Sequence, residues 1–244
     1  YQIAQLYSVA EMSKQESSSD SGIQILINEP YNDQALGKGQ YTHKLYHLGR
    51  FHLFRLPCSK CPRILSALVP ANTLIIDEKA WNAYPDCITE FFNPFLRERF
   101  SIKIQTKHVA NDDDLENVLT FLVHNLPPDL LSKREIVRID IANDPIDVKE
   151  NGCETNPKLF CPKKDPLRGP LNANWIRDMK AQKKPFMCCY KLVTIKFKVF
   201  GLESKIESYI SKVPYTDAYV ASTSNLSFCA FIGAFSALLI DGLG

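Results

Sequence analysis

The alternation of polar and apolar positions is clearest late in the chain. In CYKLVTIKFKVFG, residues 189–201, Val193, Ile195, Phe197 and Val199 share one side of a predicted strand, with Lys196 and Lys198 on the other. RFSIKIQTKH, 99–108, behaves alike, with Phe100, Ile102, Ile104 and Thr106 on one face. GIQILINEPY predicts an earlier strand with Ile23, Ile25 and Ile27 together, stopping at Pro30. A Gly-containing turn at 32–39 leads to a hairpin partner, GQYTHKLYHL, 39–48. Residues 73–85 predict a short strand followed by a turn-like segment, and REIVRIDIAND, 134–144, another strand. Helical spacing appears at Ile3, Leu6, Tyr7 and Ala10 (residues 2–14), at Leu115, Val118, Leu119 and Leu122 behind three Asp, and from Leu202 to Ile210. Residues 49–70 and 145–185 read as irregular, the latter as a long excursion. Strands dominate and do not alternate regularly with helices. The expected class is α+β with a largely antiparallel sheet.

Composition adds limits. The 244 residues suit one large domain or two small ones, and 45% hydrophobic content supports a sizeable core. The net charge of +2 lacks the concentrated basic charge of a general nucleic-acid binder, so no nucleic-acid partner is expected. No signal peptide is visible in YQIAQLYSVA, so the eight Cys are expected as free thiols in a reducing compartment. Cys58-Ser-Lys-Cys61 has metal-ligand spacing but no second pair, since Cys153 and Cys161 stand too far apart, and no metal is expected. The five His are scattered, without H-E-x-x-H or a nucleophile elbow, so no enzyme is expected. Lys163-Lys164 and Lys183-Lys184 read as solvated loop charges, with anionic lipid the alternative.

Candidate chemistry lies where polar groups share a strand face with apolar ones. Lys191 has the parity of Val193 and Ile195, Thr106 ends the Phe100 face, and Thr42 and Lys44 lie two residues apart. An ammonium on a buried face is costly unless an anion meets it or it reaches a rim. Together these residues describe hydroxyls and ammoniums at the end of an apolar cavity. A phosphorylated amphiphile fits, with its phosphate at the Lys and Thr groups and its chains along the Ile, Val and Phe faces. The alternative is that Lys191 merely snorkels to the rim.

Several stretches carry a resemblance: NEPY (28–31), GQYTHKLYHL, EKAWNAYP (78–85), RGPLNANW (168–175) and MCCYKLVTIKFKVFGL (187–202). Together, over roughly 1–48 and 59–212, they resemble the phosphatidylinositol transfer proteins, in the single-domain α/β-type class. That resemblance implies a START-like fold, a curved antiparallel sheet gripping helices around a single lipid cavity. It implies exchange of phosphatidylinositol and phosphatidylcholine between membranes by a monomer. Such a protein needs no cofactor beyond phospholipid as cargo. It touches membranes transiently, and is cytoplasmic and peripherally associated with Golgi or ER membranes. Matched residue by residue, Thr42, Lys44 and Asn82 fall at inositol contacts, and Gln5, Thr89, Thr106 and Lys191 at lipid-phosphate contacts. Cys87 falls beside the headgroup, at a position associated with choline-lipid binding and thiol sensitivity. Val199 and Phe200 fall at the membrane-docking pair and lack the family's indoles, so weaker docking is expected. Enclosure has a physical motive: exposing roughly 30 lipid methylenes to water would cost on the order of 25 kcal/mol.

The chain departs from the family pattern in four places. It starts inside the helix that holds Gln5, so a preceding edge strand is expected to be missing. Residues 50–58, RFHLFRLPC, read as an insertion, and Lys164–Leu167 replaces a Thr-Gly before the Arg of RGPL. The lipid domain is expected over 1–212. From 213 to 244 an apolar tail stands where the family has a charged lid helix with an acidic inositol contact. Ala218–Ile240 has 23 uncharged residues, long enough to span a bilayer. The competing expectation is therefore a non-transferring splice or gene-model variant, destabilised or tail-anchored through 218–240.

Overall fold

The computed structural model describes residues 22–47, 75–110, 124–134, 136–144 and 169–184, together with 158–159, 161, 163 and 186–198. Six strands follow one another: β1 (Gly22–Asp33), β2 (Gly37–His47), β3 (Ile75–Ala83), β4 (Asp86–Phe92), β5 (Phe100–Ala110) and β6 (Met187–Phe197). They form one curved sheet in the order β1-β2-β3-β4-β5-β6, antiparallel throughout. Two short α-helices are described, α1 (Pro128–Leu131) and α2 (Trp175–Ala181), with one turn of 3-10 helix at Arg97–Arg99. Chain contacts group into two units. Among the described residues, the first holds β1–β4, β5 up to His108 and β6 from Cys189, and the second holds the segments between Val109 and Cys188.

Local chemistry sets the hairpins. At the β1–β2 turn the Asp33 carboxylate accepts hydrogen bonds from the amides of Ala35 (2.7 Å) and Leu36 (2.9 Å). Gly37 then takes φ of 78°, a conformation open to glycine. Gly39 serves a different need: a Cβ there would lie 2.3 Å from the Asn82 carbonyl oxygen. Only a hydrogen lets the neighbouring backbone approach so closely. β4 is followed by Asn93, fully buried, whose Oδ1 accepts from the Phe95 and Leu96 amides and whose Nδ2 donates to the Ile75 carbonyl.

The two sheet faces differ. Ile76, Ala80, Phe91, Phe100 and Ile102, all buried, share one face, called the inner face below. The other face carries polar and aromatic pairs: His43 with Asp77 at 3.0 Å, Lys103 with Glu90 at 2.9 Å, and Tyr41 against Trp81.

Several expectations are corrected. Pro30 does not end the first strand; β1 runs on to Asp33, and as the edge strand among the described residues it tolerates a residue without an amide hydrogen. A register shift lies between Ile25 and Ile27, so Ile25 pairs with Lys44 but Ile27 with His43. The bulge turns Ile27 to the face opposite Ile23 and Ile25. Within 73–85 the strand is not short, since β3 runs to Ala83, and Asp86–Phe92 is a further strand beyond those expected. Residues 136–144 are not a strand; the chain runs irregularly into a turn, with Ile136, Val137, Ile139 and Ile141 each 36–43% exposed. The expected excursion at 145–185 contains α2. The predicted helices at 2–14, 115–122 and 202–210, the 50–58 insertion, the Cys58/Cys61 pair and the tail lie outside the described residues.

Asp140 explains the local order of the second unit. Its Oδ1 accepts from the Ala142 and Asn143 amides, which closes a turn instead of extending a strand. The same oxygen accepts from the Trp175 indole at 2.9 Å, and Oδ2 accepts from the Asn143 amide group at 2.8 Å. Burial opposes the Asp140 charge, but these hydrogen bonds outweigh it and hold the carboxyl below the usual range. A depressed carboxyl contributes stability above its unfolded value, about pH 4, that is lost as pH falls through the folded value. Asp140→Asn is expected to weaken this unit by about 1–3 kcal/mol near neutral pH, read by urea unfolding followed on Trp175 in a Trp81→Phe background. An unchanged midpoint would refute that role. RGPLNANW thus acts here as a structural motif, with Asn172 bonded to Asp178 at 2.8 Å and Asn143 to the Ala173 carbonyl at 3.0 Å.

Candidate functional site

Residues paired across an antiparallel ladder project to the same face. The register therefore reads out which side chains are neighbours. Asn82 pairs with Gln40 on one side and Cys87 on the other, and Cys87 pairs with Thr106. β6 lies beside β5, and the Lys198 amide donates to the Arg99 carbonyl at 2.8 Å. Continued from that bond without a bulge, the register sets Lys191 opposite Thr106 and Val193 opposite Ile104. The first cross-strand row is thus Gln40, Asn82, Cys87, Thr106 and Lys191. The next row, about 7 Å along the strands, is Asn28, Thr42, Ala80, Thr89 and Ile104, continued by Val193. The third is Ile25, Lys44, Glu78, Phe91 and Ile102.

Seven sequence-predicted site residues, Thr42, Lys44, Asn82, Cys87, Thr89, Thr106 and Lys191, therefore share the inner face, in three adjacent rows. Polar groups fill the first row and the β2 side of the next two. Apart from Thr89, the β4–β5 side of those two rows is apolar, with Ile104, Phe91 and Ile102, and Phe91 and Ile102 are buried. Gln5, Val199 and Phe200 lie outside the described residues.

Lys191 retains accessible surface, yet desolvation lowers its ammonium below the ordinary lysine value, against the opposing influence of Cys189 and Cys87. Desolvation likewise raises the Cys87 thiol to about 11, reinforced by Cys189 and Asp86 and offset in part by Lys191. Cys87 is therefore a neutral thiol near pH 7, small and weakly polar. Its alkylation by N-ethylmaleimide is expected to run at least about tenfold slower than at an ordinary cysteine, because thiolate depletion exceeds the gain in nucleophilicity. Peptide mapping against exposed Cys161 measures the ratio, and equal rates would contradict a desolvated Cys87.

His108 is buried at the end of this face. Its backbone amide donates to the Pro85 carbonyl at 2.9 Å, its Nδ1 lies 2.8 Å from that same oxygen, and its ring stacks on Tyr84. Desolvation lowers its pKa, so the neutral imidazole is favoured. This is a structural histidine fastening the β3–β4 turn.

Sequence reasoning missed one residue of consequence. Glu78 is 1% exposed, and its Oε1 accepts from the Lys44 ammonium at 3.0 Å. Its Oε2 accepts from the Tyr46 hydroxyl. The available signal was a carboxylate two residues from Ile76 and Ala80 on a buried face, the same parity test that selected Lys191. Asn28 and Gln40 were also missed, and their side chains hydrogen-bond at 2.6 Å within the polar corner.

Among the described residues, no group of three or more His, Cys, Asp or Glu is disposed to hold a metal ion, and no helix is long and apolar enough to cross a membrane. Such a face offers hydroxyl, amide and ammonium donors beside apolar surface.

Comparison with known proteins identifies relatives of this chain. The chain is 45% identical over 217 residues to the phosphatidylinositol transfer protein beta isoform of Homo sapiens, covering 87% of this chain and 73% of that one. It is 39% identical over 215 residues to phosphatidylinositol transfer protein 1 of Dictyostelium discoideum, covering 88% and 75%. It is 40% identical over 213 residues to the membrane-associated phosphatidylinositol transfer protein 2 of Mus musculus, covering 86% of this chain and 15% of that much longer one. The family model for phosphatidylinositol transfer protein matches residues 1–224. With seven motif residues gathered on one sheet face and a family match over most of its length, the chain belongs to the phosphatidylinositol transfer protein family.

Proposed function

We propose that the chain binds one phosphatidylinositol or phosphatidylcholine molecule in an enclosed cavity and carries it between membranes. The observation that carries this reading is the division of the inner face into a polar corner and an apolar field. In that arrangement Thr106, Thr89 and Lys191 take the lipid phosphate, and Thr42, Lys44 and Asn82 take the inositol ring. Ile104, Val193 and Ile195 border the acyl chains. The neutral Cys87 thiol accommodates a choline group, which offers no hydrogen-bond donor.

Lys191 is exposed, yet the protein around it partly desolvates its ammonium. Phosphate is the anion that would restore its charge. No covalent step is needed, since binding and release alone move a lipid. The protein so read is a monomeric, non-enzymatic carrier without a cofactor that visits membranes peripherally, Golgi and ER membranes among them.

The test is native mass spectrometry of the full chain after incubation with vesicles of phosphatidylcholine and phosphatidylinositol. A one-to-one phospholipid complex is expected. Folded protein that stays empty after such loading would refute the reading.

A further inference from the structure

The Glu78–Lys44 pair has a consequence for which headgroups the site accepts. Glu78 is 1% exposed, so it meets no ligand directly and acts through Lys44. It holds the Lys44 ammonium at 3.0 Å and is itself held by the Tyr46 hydroxyl. Lys44 is only 14% exposed, so little freedom remains for its tip. The pair as a whole carries no net charge. Lys44 lies two residues along β2 from Thr42, whose row is the one next to Asn82.

We propose that Glu78 is a positioning and selectivity residue that fixes Lys44 for a neutral polyol headgroup and excludes phosphorylated polyols. This rests on the proposed inositol role of Thr42, Lys44 and Asn82. A ring hydroxyl both donates and accepts, so it satisfies an ammonium, a threonine hydroxyl and a carboxamide without changing the charge of the site. A phosphoryl group on the same ring only accepts. It brings negative charge beside a buried carboxylate that already uses part of the Lys44 charge. Like charges in a water-poor site repel strongly, so the discrimination follows from the acid behind the lysine and not from the lysine alone.

The experiment loads the full chain from mixed vesicles of phosphatidylcholine, phosphatidylinositol and phosphatidylinositol 4-phosphate and reads the bound lipids by native mass spectrometry. Wild-type protein is expected to take phosphatidylinositol over its 4-phosphate. Glu78→Gln keeps the side-chain shape and removes the negative charge. It should raise the ratio of 4-phosphate to unphosphorylated lipid at least tenfold. Lys44→Gln leaves the acid unopposed and should lower that ratio, and the double variant should return it toward wild type. This second arm decides the matter if Glu78→Gln does not fold. An unchanged ratio in the folded variants, or equal loss of all three lipids, would overturn the assignment, the latter because a purely structural residue would act that way. Wild-type protein that captures no phospholipid overturns the transfer reading itself, and the Glu78 assignment with it.

Discussion

Lys191→Met is expected to weaken capture of phosphatidylinositol and phosphatidylcholine alike, by at least about 30-fold. The two lipids share their phosphate and differ beyond it, so losing a phosphate contact cannot separate them. Lys191 has the apolar parity of Val193 and stands at the end of the Asn82–Cys87–Thr106 row, where desolvation penalises its charge. A charge-assisted pair formed in such surroundings is worth about 2–5 kcal/mol on truncation, which sets the magnitude. Lys191→Arg keeps the charge and should recover part of the binding. The pH dependence has a definite sign. A lowered ammonium loses its proton at a pH below the ordinary 10.5, so phosphate affinity falls as pH rises through that lowered value. Equilibrium capture from single-lipid vesicles between neutral and alkaline pH measures both effects. Selective loss of one lipid would contradict a phosphate role.

Thr42→Glu is expected to do the opposite: abolish phosphatidylinositol binding while reducing phosphatidylcholine binding far less. Thr42 lies opposite Ala80, in the row next to the Lys44–Glu78 pair, and is half-buried. A glutamate there fills space that a ring would occupy and sets a second carboxylate about 7 Å from Glu78. It also competes for the Lys44 ammonium, which already serves Glu78 at 3.0 Å. A choline headgroup needs neither the hydroxyl nor the ammonium, and its positive charge is not repelled by an added acid. The expected change in the inositol-to-choline ratio is at least tenfold, read by competition between the two lipids. Equal loss of both, or no loss, would remove Thr42 from the inositol contacts.

Thr42, Lys44, Thr106 and Lys191 are legible in the sequence because each interrupts an otherwise apolar face. Residues on a strand that breaks that alternation are not. Asn82 was read into a turn because Asp77, Lys79 and the inward Glu78 hide the period-two pattern of β3. Thr89 was lost with β4, whose apolar residues occupy both faces: Phe91 inward, Ile88 and Phe92 outward. The resemblance supplied both residues, and the ladder sets them beside the other five. Ile27 misled because a bulge shifts parity without any mark in the sequence. IVRIDIA alternates well, yet Asp140 turns the chain locally and takes the Trp175 indole, a contact 35 residues away that alternation does not encode. Glu78 was legible by the test that found Lys191. It lies amid other charges, where a buried acid resembles a surface one.

The most direct test follows labelled phosphatidylinositol from donor to acceptor vesicles in the presence of the full chain. Transfer is expected to rise in proportion to protein, to be competed for by phosphatidylcholine, and to be lost for both lipids in Lys191→Met. Transfer no faster than the spontaneous rate, with the protein folded, would contradict the transfer reading.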